Sequence, residues 1–202
     1  MRSLKCTYEK ESEFPMRTNT AASLQHTETR SFSVAREVML IGGGTLFLTA
    51  CSQIAFPFWP APFTMQTFAV ILIAGCFGLR RGTATVSAYV AAGCLGLPVF
   101  ANFSGVAALF GPTTGYILGF VAAAAITGAL MDAGFRRHWT LSALAMTAGT
   151  AAILYGGTCW LAVAWGMGWQ TAASAQLIYL PGAIVKIALA MAALPYARKL
   201  LR

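Results

Sequence analysis

A chain of 202 residues that is 57% hydrophobic and only 10% charged, with a mean hydropathy of +0.67, is too apolar for a soluble globular domain. Its net charge of +8 does not describe a nucleic-acid surface, because apart from Lys186 and the N-terminal tail the basic residues stand in pairs or clusters between uncharged tracts, as membrane orientation signals do. Those tracts, Val38 to Leu79, Gly82 to Met131 and Trp139 to Val185, are each long enough for two membrane crossings, and a polytopic membrane protein follows.

Residues Met1 to Ala35 are polar, mixed in charge and without apolar periodicity, and read as a flexible cytoplasmic tail. They precede a six-helix membrane domain over residues 36–202. The tail is not a cleavable signal peptide, since the apolar run starts late and continues as a membrane span. Met16, followed by Arg17, is an equally good start.

The first span is expected from Val38 to Phe56. Gly42, Gly43 and Gly44 open it and permit close helix approach, either for packing within the chain or for docking a second membrane subunit. Pro57, Pro60 and Pro62 stop this helix, and Trp59 suits a membrane interface. A short second span covers Phe63 to Leu79 and ends at Arg80 and Arg81; a third covers Gly82 to Leu97. After an uncharged loop rich in Gly and Pro, a fourth span runs from Thr114 to Met131 and ends in Asp132, Arg136, Arg137 and His138.

The fifth span is expected from Leu141 to Trp165. The last either starts at Pro181, which favours the first turn of a helix, or starts near Thr171 and kinks at Pro181. The first reading is preferred: a helix from Pro181 to Leu200 spans ~30 Å at ~1.5 Å per residue. With the N-terminus inside, the inner connections carry Arg80/Arg81, Arg136/Arg137 and Arg198/Lys199/Arg202, and the outer ones carry no charge. That is the positive-inside pattern of six helices with both termini cytoplasmic.

Lys186 is the only charged side chain well inside a hydrophobic segment. A charge at membrane depth costs about 2.5–3.5 kcal/mol on insertion scales, so such a residue marks a functional site by default. No Asp, Glu or His lies near it in sequence, which makes a ligand its natural partner. The competing reading is a lysine that snorkels to the surface.

Catalytic chemistry has little to work with. No HExxH, no pair of carboxylates within a span, no GxxxxGK[ST] and no intramembrane His is present. Five scattered cysteines lack metal or disulfide spacing and read as small apolar residues. An enzyme is not expected, nor a bound cofactor or metal.

What remains is a pocket. Lys186 offers a cation, the loop after the third span offers Asn102, Ser104, Thr113, Thr114 and Tyr116, and Phe100, Phe103, Trp59 and Tyr179 offer aromatic walls. This mixture suits a small, partly apolar ligand with an anionic end and an amide-like end. Each residue has a structural alternative: Asn102 as a turn residue, Tyr116 as an interface anchor, Gln66 as a helix cap.

The segments PFTMQTFAVILIAG, GLRRG, GLPVFANFSGVAALFGPTTGYILGF and LPGAIVKIALA, in this order and spacing, resemble the BioY family over about Val38 to Leu194. The resemblance implies the biotin-binding S component of an energy-coupling factor (ECF) transporter in a cell (inner) membrane. It implies capture of biotin from the outer face, with a membrane T component and two cytoplasmic ATPases as partners and release by tilting in the bilayer. Carried over by position, Lys186 matches the family's ligand-contacting lysine. Asn102 lies in the loop that gives a polar contact, and Tyr116 ends the GPTTGY block.

The chain departs from the family pattern at Ala183, where PGDxxK would place an acid one turn before Lys186. The ligand carboxylate then becomes the main ion partner of Lys186. The other functions that fit the sequence are an S component for another vitamin and a membrane assembly subunit whose acidic partner pairs with Lys186.

Overall fold

The structure is a computed structural model that describes residues 19–201, with backbone alone over 19–33. The tail expected over Met1 to Ala35 lies outside the described residues up to residue 18, and from Asn19 onward the backbone is helical. Two units are distinguished, Met1–Val38 and Met39–Arg202, and the second holds the helix packing and the cavity.

Among the described residues six α-helices follow in order: α1 (Asn19–Gln53), α2 (Gln66–Cys94), α3 (Thr114–Asp132), α4 (Trp139–Val163), the short α5 (Trp169–Leu177) and α6 (Leu180–Leu200). Five are long and apolar enough to cross a membrane; α5 is not among them. The fold is an all-α membrane architecture. Large apolar side chains such as Leu46, Leu118, Leu144 and Ile184 point outward, as lipid-facing positions require.

One of the five helices is a folded pair. Gly78, at φ 76° and ψ −168°, is non-helical inside α2. The side chains of Gln66 and Tyr89 meet at 2.6 Å although 23 residues separate them, a distance of ~35 Å along a straight helix. Gly82 likewise packs on the backbone of Ala74. The chain therefore reverses at Gly78, and segments 66–77 and 79–94 lie antiparallel, in the places expected for the second and third spans.

Only glycine fits the reversal, because its positive φ is strained for other residues and a Cβ there would strike the Asp132 carboxylate. Asp132 in turn accepts the free Leu79 N–H at 2.8 Å and so caps the second segment. Its other oxygen holds Arg136 at 2.8 Å.

Several expected boundaries shift. The first helix stops at Gln53 rather than Phe56, and Ala55–Phe56 pairs antiparallel with Phe63–Thr64 as strands β1 and β2. The intervening prolines lack the N–H groups a helix needs. Phe63 is consequently a strand residue, and the next helix begins at Gln66. The reversal falls at Gly78, so Arg80 and Arg81 already lie in the second segment, which ends at Cys94 rather than Leu97. The fifth and sixth helices separate at Ile178 and Tyr179, with Pro181 in the first turn of α6 as preferred.

Small residues set the close contacts. Gly115 faces Gly156 and Trp160 while Gly119 faces Ile153, so α3 and α4 run antiparallel in contact. Gly44 of α1 packs on Thr85 and Phe77, whereas Gly42 and Gly43 meet nothing within 4 Å. One core cluster lies around Tyr89, Phe100, Phe120 and Ile153. A second joins Ile71, Met131, Met146 and Met191 near the opposite end. There Arg198 donates to the Gly75 carbonyl at 3.0 Å, beside the Gly78 reversal. The basic residues flanking the helices thus gather at one end, and the loops around residues 61 and 102 lie at the other.

Candidate ligand-binding site

The end opposite the basic flanking residues holds a cavity of ≈ 410 Å³, within the usual range for small-molecule sites. All four residues singled out from sequence line it: Lys186 from α6, Asn102 from the loop after α2, Tyr116 from α3 and Gln66 from the start of α2. Ser104, Thr113, Phe100 and Tyr179 also line it. Trp59 and Phe103 do not, and both are largely exposed. Thr114 is buried beside the cavity, where its hydroxyl donates to the carbonyls of Leu109 (2.7 Å) and Gly111 (2.9 Å) and holds the loop.

Lys186 is 6% exposed and does not snorkel to the surface. Its Nζ sits 3.8 Å from the centroid of the Phe63 ring. Among the described residues it has no ion pair and no hydrogen bond. Ala183, one turn earlier, also lines the cavity and supplies no acid there.

Gln66 does not cap its helix. Met65 is the N-cap residue and makes no side-chain cap bond. The Gln66 amide instead donates to the Tyr89 hydroxyl at 2.6 Å and accepts from Thr64 Oγ1 at 2.9 Å. Tyr89, fully buried, donates its own hydroxyl hydrogen to the Val99 carbonyl at 3.0 Å. The amide is thereby fixed in orientation, with one N–H and one lone pair to spare for a ligand.

Asn102 adopts the left-handed conformation (φ 56°, ψ 37°), which Asn tolerates better than most residues, so it is a turn residue and a cavity residue at once. The neighbouring backbone is pinned to α1. Gln53 Oε1 accepts from Phe103 N at 3.0 Å, Gln53 Nε2 donates to the Phe100 carbonyl at 3.1 Å, and Ser52 Oγ donates to the Val99 carbonyl at 2.7 Å.

Tyr116 is a buried wall and not an interface anchor. Its hydroxyl accepts from Gln176 Nε2 of α5 at 2.7 Å, and its ring lies 6.2 Å from that of Tyr179. Tyr179 donates to the Ala61 carbonyl at 2.5 Å and joins the Pro-rich turn to the start of α6. Burial pushes the Tyr179 phenol above its ordinary value, so the donor keeps its proton at neutral pH.

Sequence reasoning did not select Phe63, Thr64, Tyr89, Thr150 or Gln176. Thr150 and Thr64 line the cavity, and the others hold side chains that do. The available signal was polarity inside apolar tracts, which Tyr89, Thr150 and Gln176 share with Lys186 in weaker form.

A model of the BioY family matches residues 18–202, nearly the whole chain. The chain belongs to the BioY family. It is 41% identical over 108 residues to the biotin transporter BioY of Thermotoga maritima, covering 53% of this chain and 64% of that one. The probable biotin transporter BioY of Pyrococcus horikoshii is 40% identical over 95 residues, covering 46% of this chain and 59% of the relative. The match thus spans less than two thirds of the length of both. A longer alignment, 28% identical over 167 residues, joins it to a probable biotin transporter BioY of Rickettsia prowazekii, with 82% of this chain and 85% of that one. A 2.1 Å crystal structure of the S-component for biotin from an ECF-type ABC transporter shares the fold, with a TM-score of 0.75 at 22% identity over 83% of this chain and 93% of that one. These BioY relatives are named as transporters and none as an enzyme.

Proposed function

We propose that this BioY chain is the substrate-binding membrane subunit of a biotin uptake transporter, taking biotin from the outer face and releasing it inward. The observation that carries the reading is Lys186, a buried ammonium without a protein acid among the described residues, in a cavity that also presents an amide and aromatic walls. Biotin supplies the complement: a carboxylate for Lys186, a ureido group for the spare donor and acceptor of Gln66 and for Asn102, and an apolar body for Tyr116 and Phe100. In this reading all four residues contact the ligand.

The membrane arrangement is six crossings, counting both segments of α2, with both termini cytoplasmic in the cell (inner) membrane. The relative helix directions and the basic end formed by Arg80, Arg136 and Arg198 support it. The cavity then opens outward. No ATP site is present in the sequence, so energy comes from a T component and two ATPase subunits, and residues 1–35 form a cytoplasmic tail.

The test is uptake of labelled biotin by cells that lack their own transporter, expressing this chain with or without a T component and ATPases. Accumulation that depends on this chain and is competed by unlabelled biotin supports the reading. Uptake no greater than in empty cells, with the chain inserted and its partners present, overturns it.

A further inference from the structure

We infer that Phe63 is the positioning residue for Lys186, its ring face holding the buried ammonium ready for an anionic ligand. The inference rests on the biotin reading for the ligand's identity but not for the contact itself. Lys186 Nζ lies 3.8 Å from the Phe63 ring centroid, close enough for a cation–π attraction that grows when the pair is desolvated. Lys186 is buried, and among the described residues no carboxylate or hydrogen-bond acceptor reaches its Nζ. The aromatic face is the group that the protein itself sets against the charge.

Three features place the ring there. Phe63 pairs with Phe56 in the β1–β2 ladder, which fixes its backbone. Tyr179 ties Ala61, two residues earlier, to the start of α6 through a hydroxyl that donates to its carbonyl. Gly182 leaves the space the ring fills, since a Cβ at that position would overlap the Phe63 ring edge. Phe63, Gly182 and Lys186 therefore form one packed unit. The ring attracts the ammonium without neutralising it, so the full charge remains for a ligand carboxylate. Because the ring covers one side only, ligand and ring do not compete.

The test uses the full chain in detergent with [13C,15N]lysine labelling and three variants, Phe63→Leu, Phe63→Tyr and Lys186→Met. In the ligand-free protein, the Lys186 ε-methylene protons are expected to be shifted upfield by the ring current. The shift should survive in Phe63→Tyr and vanish in Phe63→Leu. For binding, Phe63→Leu should weaken biotin about tenfold, leave the neutral biotin amide unchanged, and add nothing in the Lys186→Met background. Phe63→Tyr should keep the wild-type preference and serves also as the control if Phe63→Leu does not fold. An unshifted Lys186 signal in the wild-type chain, or equal loss for biotin and its amide, overturns the inference. A shifted signal in a chain that binds no biotin would instead overturn the biotin reading and leave the Phe63 contact standing.

Discussion

Replacing Lys186 by Met keeps most of the apolar stem and removes the charge, which isolates the ammonium's contribution to binding. Lys186 is 6% exposed, so a carboxylate seated against it would be screened little by water. Removing one partner of a buried ion pair costs about 3–5 kcal/mol, which predicts at least a hundredfold weaker biotin affinity. The same substitution should change affinity for biotin amide less than about threefold, because a neutral ligand leaves no uncompensated charge. Titration calorimetry of both ligands against both proteins gives the comparison. The wild-type chain should prefer biotin strongly, and Lys186→Met should bind the two almost alike. Equal wild-type affinity for acid and amide would refute the assignment of Lys186 as the carboxylate's partner. So would a preference that persists without the lysine.

Tyr89→Phe removes the acceptor of the Gln66 N–H and should weaken biotin by about 1 kcal/mol, with no further loss when Gln66→Ala is already present. A binding double-mutant cycle measures this, and additive losses would mean that Tyr89 does not act through Gln66. Gly115→Ala places a methyl against Gly156 and Trp160 and should lower stability by about 1–3 kcal/mol, read as a depressed melting temperature in detergent. Asp132→Asn weakens the cap on Leu79 and its pair with Arg136, and should cost about 1 kcal/mol. Faster amide exchange at Leu79, with exchange at Tyr116 unchanged, is the local readout.

Much of this architecture was legible because a bilayer restricts what a sequence can do. Lys186 stood out as the lone charge in an apolar segment, and the bounds of α3 were marked by a Pro–Thr–Thr start and a charged end. Asn102, Tyr116 and Gln66 could be named as candidates, but nothing local shows that they converge with α4 and α6 on one cavity. Arg80 and Arg81 mark a membrane edge and point to a reversal two residues past Gly78, because the φ of a glycine leaves no compositional trace. A two-residue strand is too short to show alternation, so the sequence presents Phe63 as the start of a helix. Its contact with Lys186 depends on Gly182, a glycine that looks like helix-start punctuation until the ring is seen beside it. Tyr89 and Gln176 were passed over because a single polar group in an apolar run resembles an ordinary core residue until its partner across the bundle is known.

The most direct test of the central claim is equilibrium binding of labelled biotin to the purified chain, without any other subunit. One saturable site per chain is expected, competed by unlabelled biotin and weakened at least a hundredfold by Lys186→Met. A folded chain with no saturable biotin binding would contradict it.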